Sequence, residues 1–270
     1  MTFLYQAPQH QATLAFNQLN DFESIWSMKV DWFEEPNERR GGWSGVGKLV
    51  LHTPSNNALG VFLKRQENHE RRTLMHPIKG IPTFACEFGM MQHLAKHDVP
   101  SLKPVAFGQR LVNGNLQALL MTEELVGFIP LEQAVKQMFA EGRPVLREQR
   151  KLIMQVAKTV SKMHRSGVQH RSLYPKHLFV DTANMQDAVV IDLEKSRIKL
   201  LPFMRTFYDL STLNRHSEFW SKSARLYFYK QYLGVEQLNA WQKFVLKMIA
   251  KRSSRHKTHK TAKKTYQGTK

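Results

Sequence analysis

Four groups of residues, in chain order, have types suited to moving a phosphoryl group. Lys64 ends the apolar run Val61-Phe62-Leu63, and Glu87 lies in a helical stretch beyond it. His170-Arg171-Ser172-Leu173-Tyr174-Pro175-Lys176-His177 precedes the apolar run Leu178-Phe179-Val180, and Asp192 ends Val189-Val190-Ile191. A nucleoside triphosphate needs a cation on its phosphates, a carboxylate that holds this cation in place, and oxygen ligands for magnesium. Lys64, Glu87 and Asp192 supply these in turn. A strand-end Lys followed by a helical Glu is by itself an ordinary surface pair; the order of all four groups points to chemistry.

Periodicity outlines the elements that must position them. Phe16, Leu19, Phe22, Ile25 and Trp26 fall at helical spacing and predict an opening helix. Residues 48–52, a Pro-Ser-Asn-Asn turn and residues 59–64 predict consecutive antiparallel strands. The glycine-rich stretch 41–47 does not match G-x-G-x-x-G; it reads as a hairpin turn, with phosphate contact as the alternative. A helix is predicted over 84–96, with Thr83 as N-cap, Phe84, Phe88, Met91, Leu94 and Ala95 as its apolar stripe, and Glu87 beside that stripe. Strands are predicted at 105–108 and 116–122. Leu152, Val156, Ala157, Val160, Met163 and His164 trace a later helix that Gly167 ends. Two short strands, 178–180 and 189–191, follow. Strands first and helices later imply an α+β protein in two lobes.

The chain has 270 residues and is 42% hydrophobic, which allows a real core and excludes a wholly disordered protein or a small disulfide scaffold. Its one cysteine, Cys86, reads as a small buried apolar residue, and a reducing, cytosolic compartment is the expectation. The first residues lack the features of a secretory signal. The most apolar window, 116–131, is interrupted by Glu123, Glu124 and Gly127, short of the roughly 20 apolar residues a membrane span requires.

The charge is uneven: the net is +18, and no acidic residue follows Glu236. Trp241, Phe244, Val245, Met248 and Ile249 predict a final amphipathic helix with Lys243, Lys247 and Lys251 on another face. Residues 253–270 show no apolar periodicity and are expected to be a disordered basic tail. This basic end fits an anionic membrane surface. Nucleic acid is disfavoured, because Tyr266 is the tail's one aromatic for stacking on bases. Transition-metal chemistry finds no support: His256 and His259 stand without Cys or acidic partners, and H-E-x-x-H does not occur.

The ordered set Val61-Phe62-Leu63-Lys64, Glu87, His170-Arg171-Ser172 and Asp192-Leu193-Glu194 resembles the protein-kinase-like superfamily, in which V-A-I-K, a helical Glu, H-R-D-x-x-x-x-N and D-F-G occur in this order. More narrowly, the chain resembles the InaA branch of the lipopolysaccharide kinase (InaA/WaaP, Kdo kinase) family. That likeness rests on Asp31-Trp32-Phe33-Glu34-Glu35-Pro36-Asn37 with Arg39-Arg40 and Ser44-Gly45-Val46, on Leu120-Met121-Thr122-Glu123-Glu124-Leu125, on Tyr174-x-x-His177, and on Asp192-Leu193-Glu194-Lys195-Ser196-Arg197.

The resemblance implies a bilobal kinase-like fold: a small, mainly antiparallel β lobe over residues 1–124, a helical lobe over 125–252, and the tail over 253–270. It implies ATP and magnesium as cofactors, with ATP in the interlobe cleft. Lys64 and Glu87 would then serve the phosphates, Glu123 and Leu125 the hinge beside the adenine, and Asp192 with His177 the metal. His170, Arg171 and Ser172 would form the catalytic loop, and Asp209 the buried carboxylate that braces it. The implied acceptor is a sugar hydroxyl of lipopolysaccharide or another lipid-linked saccharide, reached by a cytoplasmic protein peripheral to the inner membrane. A basic patch of Lys195, Arg197, Lys199 and Arg205 would hold the anionic groups of that acceptor.

Two positions depart from an active kinase. Ser172 stands where an Asp accepts the substrate proton, and a neutral hydroxyl cannot serve as that base. His177 stands at the second metal position, although magnesium is a hard ion that prefers oxygen. Asp209 follows Asp192 by 17 residues with no A-P-E motif, which argues against a protein substrate. The leading expectation is a lipopolysaccharide-kinase-type phosphotransferase. The alternative is a catalytically impaired module of the same fold that binds nucleotide or saccharide.

Overall fold

The computed structural model describes residues 2–39, 41–72, 80–184 and 187–267, with backbone alone at 39 and 255–267. Arg40, of the Arg39-Arg40 pair, lies outside the described residues. The chain forms two compact units, Met1–His93 with Leu102–Val126, and Leu94–Ser101 with Gly127–Lys270.

The first unit contains β1 (Thr2–Gln6), α1 (Gln11–Phe16), α2 (Phe22–Trp26), β2 (Asp31–Arg39), β3 (Gly42–His52), β4 (Ala58–Glu67), β5 (Glu70–Arg71), β6 (Ile81–Pro82), most of α3 (Thr83–Ala95), β7 (Pro104–Val112) and β8 (Asn115–Glu123). Six strands form an antiparallel sheet in the order β1-β7-β8-β4-β3-β2, so β4 is central, paired with both β3 and β8. Alternation along β4 sends Val61 and Leu63 into a core shared with Leu14, Phe22 and Ile25. Lys64 and Gln66 therefore project from the opposite face.

Sequence periodicity misleads at the start of the chain. The single opening helix is instead two, because Gln18 takes φ +60° and Asp21 caps a new helix, accepting from the Ser24 N–H at 2.8 Å. Phe16 falls out of the stripe and is exposed. The glycine-rich stretch is also mostly strand rather than turn. A Cβ at Gly45 would lie 2.7 Å from the Trp32 ring, and one at Gly47 2.5 Å from Val30 Cβ. These glycines let the neighbouring side chains cross the strand at close range, and only Gly41, at φ +80°, serves the turn.

The second unit contains β9 (Phe128–Pro130), α4 (Leu131–Met138), α5 (Leu146–Arg165), β10 (Val168–Gln169), β11 (Leu178–Asp181), β12 (Val189–Val190), β13 (Arg197–Ile198), α6 (Pro202–His216), α7 (Lys222–Leu233) and α8 (Ala240–Gln267). Small sheets, β12-β11-β9 and β10-β13, carry the loops between helices. Leu152, Val156, Val160 and Met163 make one buried face of α5, as the 3.6-residue period requires.

Helix α8 differs from the expected apolar stripe and takes in the first residue of the expected tail. Val245 and Ile249 are buried, but Trp241 and Phe244 of the same apolar stripe are exposed. Ser253, the first residue of the expected tail, is buried and accepts a hydrogen bond from Asn214 Nδ2 at 2.8 Å. The backbone stays helical through Gln267. No Gly or Pro interrupts this stretch, and a helix already nucleated and docked propagates at little cost per residue. Cys86 is half-buried rather than buried. Among the described residues, no helix is long and apolar enough to cross a membrane.

Candidate functional site

In the first unit the Lys64 ammonium meets the Glu87 carboxylate bidentately, with Nζ 2.8 Å from Oε1 and 2.9 Å from Oε2. Glu87 is only 2% exposed, and a buried carboxylate requires such a partner. The Lys64 Nζ also lies 5.9 Å over the Phe84 ring. Gln66 fixes the geometry: its Oε1 accepts from the Thr83 hydroxyl at 2.7 Å and the Phe84 N–H at 3.3 Å, at the start of α3. Thr83 is thus a donor to Gln66 where the sequence predicts an N-cap. Lys64 and Gln66, two apart on β4, point the same way, so one holds the helix start while the other reaches Glu87. Sequence reasoning missed Gln66; the period-two spacing from Lys64 signals only that the two share a strand face, not the contact with α3.

Glu123 ends β8, where its Oε1 lies 2.7 Å from His10 Nε2 and its Oε2 3.8 Å from Lys103 Nζ. The carboxylate is thus committed to neighbours in its own unit. Leu125 is half-buried just after the strand. Thr122 Oγ1 is buried without a hydrogen-bond partner among the described residues.

In the second unit, Asp209 of α6 gathers the loop that starts at His170. Its Oδ2 accepts from the His170 N–H at 2.6 Å and its Oδ1 from the Arg171 N–H at 2.8 Å. Arg171 has φ +68°, an unfavourable conformation for a residue with a Cβ, and this bond helps to hold it. His164 Nε2 adds a third donor to Asp209 at 3.1 Å. His164 Nδ1 then accepts from the Tyr232 hydroxyl at 2.8 Å, and Tyr232 accepts from Thr206 Oγ1 at 2.7 Å. Burial pushes the Tyr232 phenol up to about 12, so it remains a donor at any physiological pH. Sequence reasoning found Asp209 but read His164 only as part of an apolar stripe; Tyr232 and Thr206 carried no signal.

His170 is fully buried, and burial drives its imidazole pKa down. It donates from Nε2 to the Ile191 carbonyl at 2.9 Å and accepts the Ser172 N–H at Nδ1, 3.3 Å away, so it shapes the loop. Ser172 is buried, and its carbonyl accepts from His177 Nδ1 at 2.8 Å. That bond sets the His177 tautomer, because a carbonyl can only accept. Burial lowers the His177 pKa to about 4, so the neutral ring presents a lone pair at Nε2, 3.3 Å from Asp192 Oδ2. Asp192 itself sits at φ +59°, opening a single 3-10 turn. A nitrogen lone pair beside a carboxylate suits a shared divalent cation: the oxygen matches magnesium, and the imidazole matches softer ions better.

The expected anionic-group patch loses a member. Arg205 is buried, and its guanidinium donates to the carbonyls of Lys199 and Leu200. Lys195 pairs loosely with Glu194 at 3.6 Å, while Arg197 and Lys199 are exposed.

A family model described as the lipopolysaccharide kinase (Kdo/WaaP) family matches residues 23–232. Protein InaA of Escherichia coli strain K12 is 31% identical over 201 residues, covering 74% of this chain and 89% of that protein. The lipopolysaccharide core heptose(I) kinase WaaP of the same strain is 28% identical over 162 residues, covering 58% of this chain and 56% of that kinase. A solved structure described as WaaP in complex with acyl carrier protein aligns with a TM-score of 0.66 at 23% identity, covering 94% of this chain and 98% of that one. At that identity the likeness carries the fold alone.

Proposed function

The chain belongs to the lipopolysaccharide kinase (Kdo/WaaP) family, with a kinase-type function, and from that premise we propose that it transfers phosphate from ATP to a sugar hydroxyl of a lipid-linked saccharide. The observation that carries this reading is the bidentate Lys64–Glu87 pair, an ammonium held in place from a buried helix position. Lys64 binds the phosphates and Glu87 keeps it aimed. Asp192 and His177 are the residues to hold magnesium, which when bound neutralises phosphate charge. The backbone at Glu123 and Leu125 serves the nucleotide base, the Glu123 carboxylate being held by His10.

Ser172 does not take the acceptor's proton as a base. Phosphoryl transfer passes through a loose transition state that depends mainly on position and charge, and general-base help is worth about 10²- to 10⁴-fold. A slow enzyme therefore remains compatible with Ser172. His170, Arg171 and Asp209 act by holding the loop around it. The substrate's lipid tether places the reaction at the cytoplasmic face of a membrane, and the basic end of the chain suits an anionic one.

A second reading is favoured by Ser172 itself: a module that binds nucleotide without turnover. The deciding experiment measures transfer from ATP to lipopolysaccharide core fragments by the wild type and by Asp192→Ala, together with ATP-induced thermal stabilisation. Turnover abolished by the substitution supports the enzyme. ATP stabilisation without any turnover supports the binding module. Neither would overturn both readings.

A further inference from the structure

We infer that the surface built from residues 199–202 and the start of α8 inserts into the headgroup layer of an anionic lipid bilayer. Four large apolar side chains are turned outward there: Leu200 is 89% exposed, Leu201 66%, Trp241 61% and Phe244 51%. Single exposed apolar residues are normal on a soluble surface, but a contiguous group marks an interaction site. Continuity runs through Phe203, two residues after Leu201, whose ring lies 6.0 Å from that of Trp241; Trp241 in turn lies 5.5 Å from Phe244.

The protrusion is held outward. Arg205 reaches back from α6 to the carbonyls of Lys199 and Leu200, which fixes the backbone of this segment and leaves its leucines in solvent. Exposing two leucines on a braced segment costs solvation in water, and burial in lipid recovers it.

Charge selects the occupant. Arg197, Lys199, Lys243, Lys247 and Lys251 are exposed around this group, and neither 197–202 nor 240–251 contains an acidic residue. On α8, Trp241, Phe244, Lys247 and Lys251 follow one another at intervals of three and four, so aromatic rings and ammonium groups run along one exposed flank, while Val245 and Ile249, on the adjoining side of the helix, are buried. Lysine stems beside interfacial aromatics can reach phosphate groups while the rings sit at headgroup depth. An apolar wedge rimmed by cations matches anionic lipid in both respects. This deepens the membrane-surface reading above by naming the face that meets lipid.

The test is sedimentation of the full chain with phosphatidylcholine vesicles, with and without phosphatidylglycerol. Binding requires neither ATP nor acceptor, so its failure is distinguishable from failure of phosphate transfer. The wild type is expected to bind the anionic vesicles, more weakly as salt rises, and to bind phosphatidylcholine poorly. Leu200→Ser with Leu201→Ser should weaken binding on the order of tenfold or more. Lys247→Gln with Lys251→Gln should weaken it and flatten the salt dependence. Val145→Ser, at an exposed apolar position just before α5 and outside the proposed surface residues, should bind as the wild type does. All of these positions are exposed, and unchanged melting temperatures verify folding. Absence of binding at low salt, or undiminished binding by the double leucine variant, overturns the inference. So does self-association in sedimentation velocity that the leucine variant abolishes without vesicle binding, since that outcome assigns the face to a second copy of the chain.

Discussion

Lys64 on the central strand and Glu87 on the following helix are joined by two hydrogen bonds, of 2.8 and 2.9 Å, with the carboxylate almost fully buried. Replacing Glu87 by Gln keeps the size of the side chain but removes the charge that aims the ammonium. The expected result is a stability loss of about 1–2 kcal/mol in urea unfolding and ATP binding weakened about tenfold in a thermal-shift titration. Equal ATP affinity would separate the pair from nucleotide binding.

Asp209 accepts from the backbone of two successive loop residues and from His164. Asp209→Asn supplies one accepting oxygen in place of two and turns an amide toward buried N–H groups. A loss of about 2–4 kcal/mol is expected by denaturant unfolding. Amide exchange at His170 and Arg171 should accelerate more than the global loss accounts for, because both N–H groups lose their carboxylate acceptor and the φ +68° residue loses a brace.

Ser172→Asp places a carboxylate where an active kinase carries its base. Transfer to core saccharide fragments is expected to rise, within the roughly 10²- to 10⁴-fold range of general-base help. A fall in rate would show that the native loop positions the acceptor by other groups.

Tyr232 has its phenol raised to about 12, chiefly by burial, against an ordinary value of 10. Its neutral form is favoured by folding, so the unfolded chain releases this proton first. Stability from this group is intact below pH 10 and is lost as the pH climbs toward 12. Around the hydroxyl stand His164, Thr206, Asp209, Arg205 and Tyr229. Tyr232→Phe should lower stability at neutral pH by about 1 kcal/mol and should lose part of the wild type's alkaline decline, read from melting temperatures across that window.

Two glycines should respond in opposite directions. Gly47→Ala sets a methyl group 2.5 Å from Val30 Cβ in the sheet, and a destabilisation of about 1–3 kcal/mol is expected. Gly89 lies on α3 with nothing within 4 Å of an added Cβ. Gly89→Ala should stabilise by about 0.5–1 kcal/mol, since alanine loses less backbone entropy in a helix. Both follow from paired thermal melts.

Residue types and order alone determined much of this protein. A period of two placed Lys64 on a strand, a period of 3.6 placed Glu87 beside an apolar helix face, and the spacing of the loop and of Asp192 completed a recognisable series; such local patterns are written by which side chains must leave water. Distance in space was decided only by the fold. That Gln66 anchors the helix carrying Glu87, that Asp209 is reached by His164 and through it Tyr232, and that glycines at 45 and 47 make room for Trp32 and Val30 are contacts between residues far apart in sequence, which no local period encodes. The same holds at the end of the chain. Trp241, Phe244, Val245 and Ile249 read as one apolar stripe, yet packing against α6 and its neighbours buries only the last two, because a docked helix covers no more surface than its partner offers.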